Sequence, residues 1–124
     1  MHLTKVTLKN YGVYRDKVEF DLTTTPDKPV ILIGGTNGAG KTTLFESILI
    51  GFYGQSYFDK KTTRKEYEKF LGNKVHRYLG TTAAADSTSI VVDFKFYHNG
   101  VVDDYTVDRT WYDNDGRLTE ELKI

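Results

Sequence analysis

Polar and apolar residues alternate almost as soon as the chain begins. Val6 and Leu8 stand one way and Lys5, Thr7 and Lys9 the other, which predicts a half-buried strand. Asn10-Tyr11-Gly12 breaks the period and predicts a turn. A second alternating run sets Val18, Phe20 and Leu22 against Glu19 and Asp21, and a loop follows from Thr23 to Lys28 around Pro26. Val30-Ile31-Leu32-Ile33 is apolar on both faces, as a central, parallel strand would be. From Thr42 to Tyr53 the spacing turns helical. Leu44, Phe45, Ile48, Leu49 and Phe52 form one broad stripe, with Ile50 and Tyr53 beyond it, so this helix should be largely buried and capped by Gly54.

Residues 55–62 read as a loop, and Thr63 with Glu66 forms a capping box. Behind it Tyr67, Phe70, Leu71, Val75, Tyr78 and Leu79 keep helical spacing, with Gly72-Asn73 as a candidate interruption. Gly80 to Ser89 has no period and reads as a loop. Ile90 onward is an antiparallel meander. Ile90, Val92, Phe94 and Phe96 face one way, Asn99-Gly100 marks a hairpin, and Tyr105, Val107 and Trp111 carry the return strand. Asp115-Gly116 marks a second hairpin before Leu118, Leu122 and Ile124. The expected class is α/β: a P-loop lobe with a mixed sheet, one loop-borne helix and an antiparallel meander.

Composition changes this picture little. At 124 residues the chain is one domain, with no cysteine for a disulfide or thiolate metal site, and His2, His76 and His98 lie far apart. No apolar stretch reaches membrane-spanning length and no signal-peptide core opens the chain, so a cytoplasmic protein without a membrane role is expected. The net charge of +0 conceals segregation: residues 1–58 sum to +1, 59–79 to +4 and 80–124 to −5. The middle segment is the one candidate basic patch. Its residues Lys60, Lys61, Arg64, Lys65 and Lys69 are candidate DNA contacts, and they read equally as a solvated helix face.

The sharpest chemistry lies between the apolar run and the first helix. Gly35-Thr36-Asn37-Gly38-Ala39-Gly40-Lys41-Thr42 fits G-x-x-x-x-G-K-[ST], in the strand–loop–helix context that the phosphate-binding P-loop requires. Gly35, Gly38 and Gly40 let the backbone close on a polyphosphate, and the amides from Asn37 through Ala39 can serve its oxygens. The helix N-terminus adds its dipole. Lys41 would reach the β- and γ-phosphates, Thr42 would place its hydroxyl on Mg²⁺, and Thr43 would touch the α-phosphate. ATP and Mg²⁺ are the expected ligands. A plain glycine turn needs neither the Lys nor the Thr.

Two strands before the loop and an acidic meander after its helix distinguish this layout from small nucleotide kinases and GTPases. Leu3 to Tyr14 and Asn37 to Leu44 resemble the N-terminal lobe of structural-maintenance-of-chromosomes (SMC) and related DNA-repair ATPases of the ABC type. Ile33-Gly34-Gly35, Leu49 to Gly54, Tyr67 to Leu71 with His76-Arg77, and Arg109-Thr110-Trp111 resemble the DndD-type SMC-like ATPases of bacterial DNA phosphorothioation. The resemblance implies a fragment of an ATPase acting on DNA in sulfur modification, with another SMC-like DNA-repair or phage-defence ATPase as the alternative, and residues 1–124 as its N-terminal lobe. It also implies that the turn after the first strand, Gly12 to Arg15, wraps the nucleotide, so Tyr14 and Arg15 are candidate contacts. They also read as a surface aromatic and a solvated arginine.

Partners implied by the resemblance are a C-terminal lobe, a second head closing on ATP, DNA, and other DNA-modification proteins. The chain carries no L-S-G-G-type signature, no Walker B glutamate and no coiled coil, so no catalytic residue is assigned and ATP binding without efficient hydrolysis is expected. Ile90-Val91-Val92-Asp93 imitates a Walker B strand, yet Phe94 follows and Asp93 lies on the polar phase. Asp113-Asn114-Asp115-Gly116 imitates a GTPase D-x-x-G without an N-K-x-D to read the base. A small P-loop kinase, which would need an Arg-rich lid, and an interaction module with a vestigial loop are the competing classes.

Overall fold

A computed structural model describes residues 1–35, 40–74, 87–114 and 117–124, with the side chains of 113, 114, 117 and 118 left aside. Five strands form one antiparallel sheet in the order β2-β1-β3-β4-β5. They are β1 (His2–Tyr11), β2 (Tyr14–Asp21), β3 (Ser87–His98), β4 (Val101–Asn114) and β5 (Arg117–Lys123). Two helices, α1 (Lys41–Tyr53) and α2 (Arg64–Lys74), pack on one face. Register follows the alternation: Phe20, Val6, Val92 and Val107 pair in one row, and Val18, Leu8, Ile90, Arg109 and Leu122 in the next. Val6, Leu8, Ile90, Val92 and Trp111 of the sheet bury with Leu44 and Ile50 of α1 and Tyr67 and Leu71 of α2.

Local signals landed where the residue chemistry is self-contained. Asn99 at φ 47° and Gly100 at φ 76° make the tight turn between β3 and β4. Thr63 and Glu66 cap α2 reciprocally: Glu66 N–H donates to Thr63 Oγ1 at 3.2 Å, and Thr63 N–H donates to Glu66 Oε2 at 3.4 Å. Gly72 and Asn73 do not interrupt α2. Gly54 ends α1 with φ 55° and donates its N–H to Ile50 O. The Asp115-Gly116 turn lies outside the described residues, although β4 and β5 pair up to Asn114 and Arg117. Val75, His76, Arg77, Tyr78 and Leu79 lie outside them too.

Three expectations need correction. Val30 to Ile33 is not a strand: no strand of the described sheet runs beside it, and Val30 and Leu32 are exposed. Four consecutive apolar residues make a buried strand only where neighbours supply a ladder on both sides. The α1 face turned to the sheet is Leu44, Ser47, Ile50 and Gly51, whereas Phe45, Leu49 and Tyr53 are exposed. A helix apolar all round does not reveal which side the first layer will take. Ser87 to Ser89 belongs to β3 rather than a loop. Thr88 is fully buried, and its hydroxyl lies 3.0 Å and 2.9 Å from the Lys9 and Asn10 carbonyl oxygens, so a polar side chain takes a core position that the apolar period leaves blank.

Candidate nucleotide site

Gly40 is the N-cap of α1, in the left-handed region at φ 97° and ψ 8°, and no side chain caps it. The first-turn amides of Lys41, Thr42 and Thr43 therefore have no intrahelical acceptor. The first turn contains no acidic side chain, so the positive end of the helix dipole is not offset locally. Loop and helix chemistry together suit an anion. Lys41 and Thr43 are half-buried and Thr42 is exposed. Gly35 is exposed in the segment leading to the loop, while Thr36, Asn37, Gly38 and Ala39 lie outside the described residues.

The turn between β1 and β2 sits on the start of α1. Tyr14 donates its hydroxyl to the Gly40 carbonyl at 2.8 Å, and burial raises the phenol above its ordinary value, which keeps it a donor. A Cβ added at Gly40 would collide with the Tyr14 hydroxyl, and would lie 2.9 Å from Val13 Cγ2. A Cβ at Gly12 would meet Thr43 Cγ2 at 3.0 Å, and the Gly12 N–H donates to the Lys74 carbonyl at the end of α2. Tyr14 is thus bonded to the backbone at the start of α1. Arg15 is exposed and pairs with Asp16 at 3.7 Å.

Sequence reasoning missed how α1 is held at its other end. Gly51 lets the helix approach β3, since a Cβ there would lie 2.9 Å from Ile90 Cγ2 and 3.2 Å from Val92 Cγ2. Buried Arg109 reaches across from β4, donating Nε to the Gly51 carbonyl at 3.1 Å and Nη2 to the Phe52 carbonyl at 3.4 Å. A cation on the last carbonyls of a helix complements its negative end. Glu120 of β5 balances that charge. Its Oε1 accepts from Arg109 at 3.1 Å, Trp111 Nε1 at 3.0 Å and the Tyr67 hydroxyl at 2.7 Å, and its Oε2 accepts from Arg64 at 3.2 Å. Burial alone would raise the Glu120 carboxyl, but the Tyr67 and Arg109 hydrogen bonds and the Arg109 and Arg64 interactions outweigh it and hold it below the usual range. Burial and the Glu120 partner push the Tyr67 phenol up. A lone Arg inside an alternating strand was the available signal.

Of the basic residues, Lys60, Lys61, Lys65 and Lys69 are exposed. Arg64 is tied down, bonded to Glu120, 3.6 Å from Glu68 and stacked over the Tyr67 ring at 5.0 Å. Asp93 lies on the sheet face away from α1, accepting from Thr106 and pairing with Lys5 at 3.7 Å. Among the described residues no cluster of His, Cys, Asp or Glu could hold a metal, and no helix is long and apolar enough to cross a membrane.

The family described as AAA domain matches residues 5–124. The chain is similar to the DNA double-strand break repair Rad50 ATPase of Archaeoglobus fulgidus, 33% identical over 108 residues that cover 86% of this chain and 9% of that protein. It is also similar to a subunit of the nuclease SbcCD of Vibrio cholerae, 32% identical over 62 residues, 50% of this chain and 6% of that protein. The chain therefore spans less than a tenth of the length of these relatives. A solved structure described as "Structural biochemistry of ATP-driven dimerization and DNA stimulated activation of SMC ATPases" matches with a TM-score of 0.68 at 21% identity. The match covers 98% of this chain and 69% of that one, and it shows a shared fold.

Proposed function

The chain belongs to the AAA domain family, and on that premise we propose that it is the ATP-binding N-terminal lobe of an SMC- or Rad50-like ATPase head that works on DNA. The observation that carries the reading is the uncapped start of α1, where left-handed Gly40 opens a helix with Lys41, Thr42 and Thr43. These residues fit Mg·ATP. Lys41 would hold the β- and γ-phosphates, Thr42 the Mg²⁺ and Thr43 the α-phosphate, with Gly35, Asn37, Gly38 and Ala39 completing the motif. The bound triphosphate supplies the energy that drives a head from open to closed.

The uncovered apolar surface supports half a head rather than a whole one. Phe45, Leu49 and Tyr53 recur every fourth residue along α1 and offer an exposed face for a second layer. A C-terminal lobe of the same ATPase is the occupant we assign to it, with a second head closing over ATP. Exposed Lys60, Lys61, Lys65 and Lys69 would face DNA phosphates, with Arg64 held by Glu120. Within this reading DNA sulfur modification is the pathway we favour, on the DndD-like residues at Ile33 to Gly35 and Arg109 to Trp111. Mg·ATP should raise the melting temperature of the chain, GTP should raise it less, and Lys41→Ala should remove both shifts. Equal shifts in Lys41→Ala would contradict the assignment.

A further inference from the structure

The carbonyl oxygen of Gly40 takes two donors. Leu44 N–H reaches it at 2.9 Å as the first hydrogen bond of α1, and the Tyr14 hydroxyl reaches it at 2.8 Å. A carbonyl oxygen has two lone pairs, so this acceptor is saturated. The peptide is planar and trans, so fixing the Gly40 carbonyl points the Lys41 N–H the opposite way. That N–H has no partner within the helix. Gly40 carries no side chain to choose among backbone orientations, and glycine has the widest choice. Two bonds from outside the loop, from the Leu44 N–H and the Tyr14 hydroxyl, together select one of them. Tyr14 is itself held, its ring edge-on to Phe20 with centroids 5.4 Å apart and planes at 85°.

We propose that Tyr14 is a positioning residue: through the Gly40 carbonyl it holds the Lys41 amide aimed at a polyphosphate, and it leaves the nucleotide base untouched. The inference rests on the reading that this loop binds ATP. Tyr14→Phe removes the hydroxyl and keeps the ring on Phe20. Calorimetric titration with Mg·ATP and with inorganic tripolyphosphate, which has no base, separates the alternatives. Both should bind the variant about fivefold more weakly than the wild type, by the same factor, as expected for one lost hydrogen bond. The Lys41 amide resonance of the ligand-free protein should shift as well. A misfolded fraction would lower the binding stoichiometry and leave the dissociation constant of the folded remainder intact. Weaker ATP with unchanged tripolyphosphate would make Tyr14 a base contact and overturn the proposal, as would unchanged affinity for both with an unmoved Lys41 amide. A wild-type chain that binds neither probe would overturn the ATP-site reading, and this inference with it.

Discussion

Gly51 shows how much one missing Cβ can set. With Ile90 Cγ2 only 2.9 Å from where that atom would be, Gly51→Ala must push α1 off β3. We expect it to cost about 1–3 kcal/mol of unfolding free energy despite the better helix propensity of Ala, measured by urea denaturation. Tyr11 offers the opposite case. Among the described residues its buried hydroxyl has no hydrogen-bond partner, and burial raises its pKa, followed by a smaller contribution from the Glu46 charge. Tyr11→Phe should therefore melt at or above the wild-type temperature, because it removes an uncompensated polar group. At Glu120 the carboxyl is lowered from 4.5 on folding, so the stability it supplies is complete above that value and is lost as pH falls through the lower folded one. Unfolding free energy followed from about pH 7 to about pH 3 should fall less steeply in Glu120→Gln than in the wild type.

Among elements, α1 is fixed at both ends, by the β1–β2 turn at Gly40 and by Arg109 at the Gly51 and Phe52 carbonyls. Arg109→Ala would leave Glu120 with Arg64 as its cationic partner and would free those carbonyls, at a cost of about 1–3 kcal/mol in chemical denaturation. Arg109→Ala combined with Glu120→Ala should cost less than the sum of the two single changes, since the pair is coupled. Strands, hairpin turn and capping box were legible in the sequence because each depends on neighbours a few residues away. The P-loop pattern is local in the same way, although its residues 36–39 lie outside the described ones. Val30 to Ile33 and the α1 stripe were misread because burial is decided by which layers are present, and apolarity alone does not name them. The Arg109–Glu120 tie was not legible because its members lie on separate elements, and only the register of β4 against β5 brings them together. Both sheet edges are rich in charge, Arg15 to Glu19 on β2 and Glu120 to Lys123 on β5, which blunts edge-to-edge pairing.

For the whole molecule, a five-stranded sheet is covered by helices on one face, and α1 leaves Phe45, Leu49 and Tyr53 exposed. Co-expression with a C-terminal lobe carrying a signature and Walker B should bury Phe45, Leu49 and Tyr53, and light scattering should then show ATP-dependent dimers. At this scale the proposal is that the chain binds Mg·ATP at Gly40 to Thr43 without turning it over efficiently. Calorimetric titration of Mg·ATP, with phosphate release recorded on the same sample, tests it most directly. Binding that Lys41→Ala largely abolishes, with no steady turnover, is the expected result. Absence of binding, or steady turnover that Lys41→Ala removes, would contradict the account.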